Sequence, residues 1–128
     1  MMDNFVLVVD DESHIRRILT LQLERAGFVV ECASDGQEAL DAIADRKPDL
    51  VITDFQMPRM DGLDLCSALR ENSATAEIPV LLLTAKGFEL GDDEMSEHFN
   101  VVGMICKPFS PGDLLQKVES VLSLGGSS

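Results

Sequence analysis

Five short apolar runs, each of strand length and each followed by a stretch of helical periodicity, constrain this chain most. Phe5–Val9 is apolar at every position, as expected of a strand covered on both faces. Ile15, Ile18, Leu19, Leu23 and Ala26 then recur at helical spacing, with Arg16, Arg17 and Glu24 at the remaining positions. Ser13 is the expected N-cap of this helix and Gly27 its left-handed stop. Val29–Cys32 reads as a second, weaker strand. A helix from Ser34 or Asp35 carries Ala39, Leu40, Ile43 and Ala44, and Pro48 closes it. Leu50–Thr53 is the third strand, and Asp61 caps a helix with Leu65, Cys66 and Leu69 inward. Pro79–Thr84 is the fourth strand and the most apolar. Glu89 to Phe99 predicts a poor helix, acidic and interrupted by Gly91, the least stable element of the chain. Val101–Cys106 is the fifth strand. Ser110-Pro111-Gly112-Asp113 then sets an N-cap, a proline at N1 and a carboxylate at N3, the strongest helix start present. Leu114, Leu115, Val118, Val121 and Leu122 share one face of that helix.

Buried-type strands alternating with amphipathic helices predict an α/β fold, a parallel sheet with helices on both faces. Right-handed crossovers make it doubly wound, with five strands and five helices. At 128 residues a single domain is expected, over residues 1–124. Residues 125–128, Gly-Gly-Ser-Ser, read as a flexible tail or the start of a linker. Ten Lys and Arg against 23 Asp and Glu give a net charge of −13, which repels phosphate backbones and anionic lipid. Direct nucleic-acid binding is therefore not expected, and divalent cations or basic protein surfaces are favoured. No apolar run approaches the roughly 20 residues that span a bilayer, so no membrane association is expected. Met1-Met2-Asp3-Asn4 is not the basic flank of a signal peptide. Cys32, Cys66 and Cys106 are scattered without CxxC spacing and read as reduced thiols. These features together predict a cytoplasmic location.

In such folds ligands sit beyond the carboxyl ends of the strands, near the switch in strand order. Strand one ends in Asp10-Asp11, followed by Glu12; strand three ends in Asp54; strand four ends in Thr84; Lys107-Pro108 follows strand five. Singly, each has an ordinary explanation. Acids at a helix start complement its dipole, and Asp54 ahead of Pro58 fits a turn. A strand-closing threonine is usually structural, and a lysine before proline is usually a solvated charge. Together they fall on one edge. Crowded carboxylates repel unless a cation joins them, and oxygen ligands without His or Cys suit Mg²⁺. A carboxylate in that setting can attack phosphorus to give an acyl phosphate. Mg²⁺, an ammonium and a hydroxyl donor are the groups that stabilise the transferring phosphoryl.

The segments VVDDE at 8–12, TDFQMPRMDG at 53–62, LLLTAKG at 81–87 and CKPF at 106–109 resemble the receiver domain of two-component response regulators. The resemblance runs over about residues 4 to 123, with the motifs in the family's order and spacing. It implies a flavodoxin-like sheet of strand order 2-1-3-4-5. It implies that Asp54 is the phosphoacceptor, phosphorylated from a phosphohistidine of a sensor histidine kinase or a histidine phosphotransfer protein. Asp11 matches the direct Mg²⁺ ligand and Asp10 the carboxylate holding metal-bound water, with Asp54 and the backbone carbonyl of Gln56 completing the protein ligands. Lys107 matches the lysine that pairs with a phosphoryl oxygen, and its bond to Pro108 is typically cis in the family. Thr84 matches the hydroxyl that moves to bond the phosphoryl. The changed surface would then regulate a downstream protein or a covalently linked output domain.

Some positions depart from the pattern. Met104 stands where Tyr, Phe or His is usual, and it lacks a ring with two discrete orientations. Coupling is therefore expected to run mainly through Thr84 and the 89–99 segment. Asn100 replaces a common Gly, and Gln56 and Lys86 hold the two variable positions beside the phosphoryl site. His14 and His98 read as an exposed first-turn residue and a dipole partner, and Cys106 as a buried, inert strand thiol. Two rival functions are an Asp-nucleophile phosphohydrolase and a receiver-like interaction module without phosphorylation. The hydrolase commonly wants a second carboxylate two residues after the nucleophile, where this chain has Gln56. The intact set of Asp10, Asp11, Asp54, Thr84 and Lys107 argues against the second. A flavin-binding domain of the same fold is disfavoured by the absence of Trp and Tyr.

Overall fold

The computed structural model describes residues 4–57, 60–85, 101–107 and 109–126. Every residue of Phe5–Val9 (β1) and of Leu50–Asp54 (β3) is buried, which is why Phe5–Val9 and Leu50–Ile52 run apolar without alternation before the polar end of β3. They pair in parallel at the centre of a five-stranded sheet of order β2-β1-β3-β4-β5. Val29–Ala33 (β2) lies at one edge with four of its five residues at least partly exposed, the physical reason for its weak apolar pattern. Val80–Ala85 (β4) pairs with β3, and Val101–Lys107 (β5) forms the other edge. Val80 faces Val101 but Leu81 faces Gly103, so Val102 is one extra residue in β5, a bulge at the start of the ladder.

Helices cover both faces: Ser13–Arg25 (α1), Gly36–Asp45 (α2), Gly62–Glu71 (α3) and Pro111–Gly126 (α4). Strand alternation divides the core into two layers. Val6, Val8, Ile52, Leu81 and Leu83 pack with Leu19 and Leu23 of α1 and Leu114 and Val118 of α4. Leu7, Val9, Val51 and Leu82 pack on the opposite face with Ala39 and Ile43 of α2 and Leu65, Cys66 and Leu69 of α3. Each such leucine or valine contributes about 1.5–3 kcal/mol through burial. The expected sheet, its order and four of the five expected helices are present. The fifth, at Glu89–Phe99, lies outside the described residues, as do Lys86, His98, Asn100 and Pro108.

Helix ends refine the expected boundaries. Glu12, not Ser13, is the N-cap of α1, and Ser13 is already helical. The cause is Asp10, whose Oδ1 accepts the Glu12 N–H at 2.9 Å and starts the helix one residue early. Gly27 ends α1 as expected, at φ 98°. Its N–H donates to the Glu24 carbonyl and that of Phe28 to the Leu23 carbonyl, the paired bonds of a left-handed helix stop. Asp35 caps α2, accepting the Glu38 N–H at 2.8 Å. That helix ends at Asp45, three residues before Pro48. Asp61 and Asp64 cap α3 reciprocally. The helical backbone of α4 continues through Gly126, past the point at Gly125 where a tail was expected to begin.

Candidate functional site

The parallel order brings the ends of β1, β3 and β5 to one edge, and a lysine from the last joins acids from the first two. Asp10 follows β1 and is completely buried. Its carboxylate is held from two sides: Oδ1 accepts the Glu12 N–H, and Oδ2 accepts from Lys107 Nζ at 3.0 Å. Arg16, one turn into α1, donates through Nη1 to the Asp10 backbone carbonyl at 2.6 Å. Asp54 ends β3 at 7% exposure. Its Oδ1 accepts the Gln56 N–H at 3.3 Å, and its Oδ2 lies 3.3 Å from Lys107 Nζ. Glu12 Oε1 is a third carboxylate oxygen near the ammonium, at 3.4 Å. Lys107 reaches this position from the end of β5, and its side chain is 19% exposed.

The electrostatics follow from that crowding. Burial, and then the charge of Asp10, push the Asp54 carboxyl above its ordinary value, while Lys107 and the Gln56 N–H pull only part of the way back. Burial alone would lower the Lys107 ammonium. Its hydrogen bond to Asp10 and the charges of Asp10 and Asp54 outweigh that and hold it above the usual lysine value. Asp10, Asp11, Glu12 and Asp54 each offer an oxygen within 4.8 Å of the others. Four carboxylates against one ammonium leave excess negative charge, and an all-oxygen set open to solvent at Asp11 and Glu12 suits a hard divalent cation.

Close packing fixes the floor of the site. Gly62 opens α3 with its N–H on the Phe55 carbonyl at 2.9 Å. A Cβ there would stand 2.7 Å from the Asp54 carbonyl oxygen and 3.1 Å from both Leu82 Cδ2 and Phe55 Cα. Only glycine lets the helix approach the acceptor strand this closely.

Thr84 is completely buried in β4, and its hydroxyl donates to Cys106 Sγ at 3.7 Å across the β4–β5 ladder. Among the described residues it makes no hydrogen bond to the Asp54 carboxylate. Cys106 itself is exposed, correcting the expectation of a buried thiol: it lies on the outer strand of the sheet. Met104 is partly buried against the α2–α3 side of the core. His14 is exposed and 3.6 Å from Glu12, and among the described residues it has no other link to the cluster. Of the expected site residues, the structure brings together Asp10, Asp11, Asp54 and Lys107, and it places the Gln56 backbone beside Asp54. The sequence pattern put Arg16 only among the non-apolar positions of its helix, and gave Glu12 no role at the site. The helical phase set by Asp10 could have found Glu12, but nothing separates Arg16 from Arg17 in the sequence.

Comparison with known proteins gives this arrangement a family. The family model for the response regulator receiver domain matches residues 6–119. The alkaline phosphatase synthesis transcriptional regulatory protein PhoP of Bacillus subtilis is 39% identical over 129 residues, covering 94% of this chain and 49% of that protein. The phosphate regulon transcriptional regulatory protein PhoB of Pseudomonas aeruginosa is 38% identical over 128 residues, covering 98% and 55%. The crystal structure of the Vibrio cholerae chemotaxis protein CheY4 superposes with a TM-score of 0.85 at 32% identity, covering 94% of this chain and 99% of that one. This chain belongs to the response regulator receiver family and is a receiver domain of the two-component type. It spans about half the length of the curated relatives named here. Among the described residues no helix is long and apolar enough to cross a membrane.

Proposed function

We propose that Asp54 is the phosphoacceptor of this receiver and that Asp10, Asp11 and Lys107 prepare it for transfer. The observation that carries this reading is the Lys107 ammonium, held 3.0 Å from Asp10 and 3.3 Å from Asp54 at the carboxyl edge of the sheet. A carboxylate oxygen of Asp54 attacks the phosphorus of a phosphohistidine, an O–P bond forms, and the P–N bond breaks with its electron pair leaving on the imidazole. The product is an acyl phosphate on Asp54. Lys107 Nζ already lies 3.3 Å from Asp54 Oδ2, within reach of a phosphoryl group carried there, and its raised affinity for its proton keeps it charged. Asp11, Asp54 and the Gln56 carbonyl would hold Mg²⁺, and Asp10 would hold water bound to that ion. That ion supplies charge neutralisation for the phosphoryl oxygens. Thr84 is the hydroxyl that would bond the phosphoryl afterwards.

The donor is a sensor histidine kinase or a histidine phosphotransfer protein, and the altered surface regulates a downstream protein or a linked output domain. The receiver catalyses only its own phosphorylation and dephosphorylation and works in the cytoplasm without contacting nucleic acid. We assign this unit to residues 1–124, with 125–128 leading out of it. The comparisons do not favour the hydrolase or the phosphorylation-independent module. Incubation with acetyl phosphate and Mg²⁺, read by intact mass, tests the proposal. One phosphoryl group should be gained, and none in EDTA. Equal gain by Asp54→Asn would refute it.

A further inference from the structure

Thr84 and Cys106 are direct partners in the β4–β5 ladder, one residue before the ladder ends at Ala85 and Lys107. The Thr84 hydroxyl is buried and, among the described residues, its hydrogen bond goes to Cys106 Sγ. Sulfur is a weak acceptor. A phosphoryl oxygen is anionic, and hydrogen bonds to charged acceptors are about twice as strong as neutral ones. The Thr84 hydroxyl therefore has a resting partner weak enough to be exchanged once Asp54 is phosphorylated. Valine or alanine at position 106 would remove the partner that this buried hydroxyl has among the described residues, which is costly. Serine would offer a stronger oxygen acceptor.

We propose that Cys106 is a positioning residue, the resting acceptor of the Thr84 hydroxyl, and that its weak sulfur bond sets how readily Thr84 transfers to the phosphoryl group. The inference rests on the reading of Thr84 as the hydroxyl that bonds the phosphoryl. Because the two groups compete for one proton donor, the identity of residue 106 tilts the equilibrium between the resting and activated forms.

The test is the apparent dissociation constant of beryllofluoride, a phosphoryl mimic, titrated in Mg²⁺ and followed by amide chemical shifts. Cys106→Val should bind roughly two- to fivefold more tightly than wild type, the lower part of the range for one net hydrogen bond. Cys106→Ser should bind more weakly than wild type. In a Thr84→Val background, Cys106→Val should change nothing, an outcome a general packing role would not produce. Wild-type affinity in Cys106→Val, or an effect that persists without Thr84, would overturn the inference. Wild-type affinity in Thr84→Val alone would instead sink the reading of Thr84, so the two failures are distinguishable. A second measurement needs no substitution: in wild type the Cys106 ¹³Cβ and Thr84 methyl resonances should shift together as beryllofluoride saturates. Movement of Thr84 with an indifferent Cys106 would also overturn it.

Discussion

Replacing Lys107 by Met removes the ammonium and keeps most of the stem. In the structure Nζ lies 3.0 Å from a carboxylate with no exposure and 3.3 Å from one that is 9% exposed. At an effective dielectric of about 20, each contact is a gross attraction of about 5 kcal/mol before desolvation is counted. Removing one member of a buried pair typically costs about 3–5 kcal/mol, because the remaining charge is stranded. Lys107 is partly solvated and Asp54 can relieve itself by taking a proton, so we expect a loss of about 2–4 kcal/mol at pH 7 in EDTA. With no Trp or Tyr in the chain, urea unfolding is best followed by far-ultraviolet circular dichroism. The pH dependence has a definite sign. Asp54 holds its proton more tightly when folded, so its contribution to stability is full below the ordinary carboxylate range and is lost as pH rises through its raised value. Lys107 is also raised on folding, so its contribution is full below the ordinary lysine value and is lost only as pH rises through the folded one. The deficit of Lys107→Met should therefore shrink as pH falls through the Asp54 titration, where a protonated Asp54 no longer repels Asp10. A deficit under about 1 kcal/mol, or one unchanged between about pH 7 and pH 4, would refute the electrostatic account.

Other outcomes follow from the same geometry. Gly62→Ala should cost about 1–3 kcal/mol in urea unfolding, since its Cβ would meet the Asp54 carbonyl. Gly112→Ala, where a Cβ meets nothing closer than Ser110 Oγ at 3.7 Å, should instead gain about 0.5–1 kcal/mol. Asp61→Ala removes the reciprocal cap of α3 and should lower stability by about 1 kcal/mol, read as a fall in melting temperature. Met104→Ala should leave much of the beryllofluoride-induced amide shift in residues 89–99 intact, whereas Thr84→Ala should remove most of it. Typical coupling energies are about 1–3 kcal/mol, of which Met104 supplies a minor share.

Most of the fold was legible because burial on both faces leaves a plain signature: β1 and the Leu50–Ile52 part of β3 are apolar runs without alternation, and Gly27, Asp35 and Asp61 punctuate the helices as their local chemistry requires. The acids and the lysine were legible because strand ends in a parallel sheet converge, whatever the distance along the chain. What escaped depends on three-dimensional contact. The start of α1 is set by Asp10 reaching the Glu12 N–H, which a cap rule reading Ser13 does not contain. Arg16 bonds a backbone carbonyl, a target no sequence pattern displays. Cys106 is exposed because β5 is an edge strand, and strand order, not composition, decides edges. The need for glycine at position 62 is likewise an approach between α3 and β3, visible only when both are placed.

If Asp54 is the acceptor, phosphorylation falls on that one side chain and on no other acid at the carboxyl edge of the sheet. The most direct measurement treats the acetyl phosphate-labelled, Mg²⁺-loaded protein with borohydride, which reduces an acyl phosphate to the alcohol, and then maps peptides by mass spectrometry. Homoserine is expected at position 54, with Asp10, Asp11, Asp61 and Asp64 unchanged. Reduction at any of those acids in place of Asp54, or a phosphoryl group that borohydride cannot remove, would contradict that assignment.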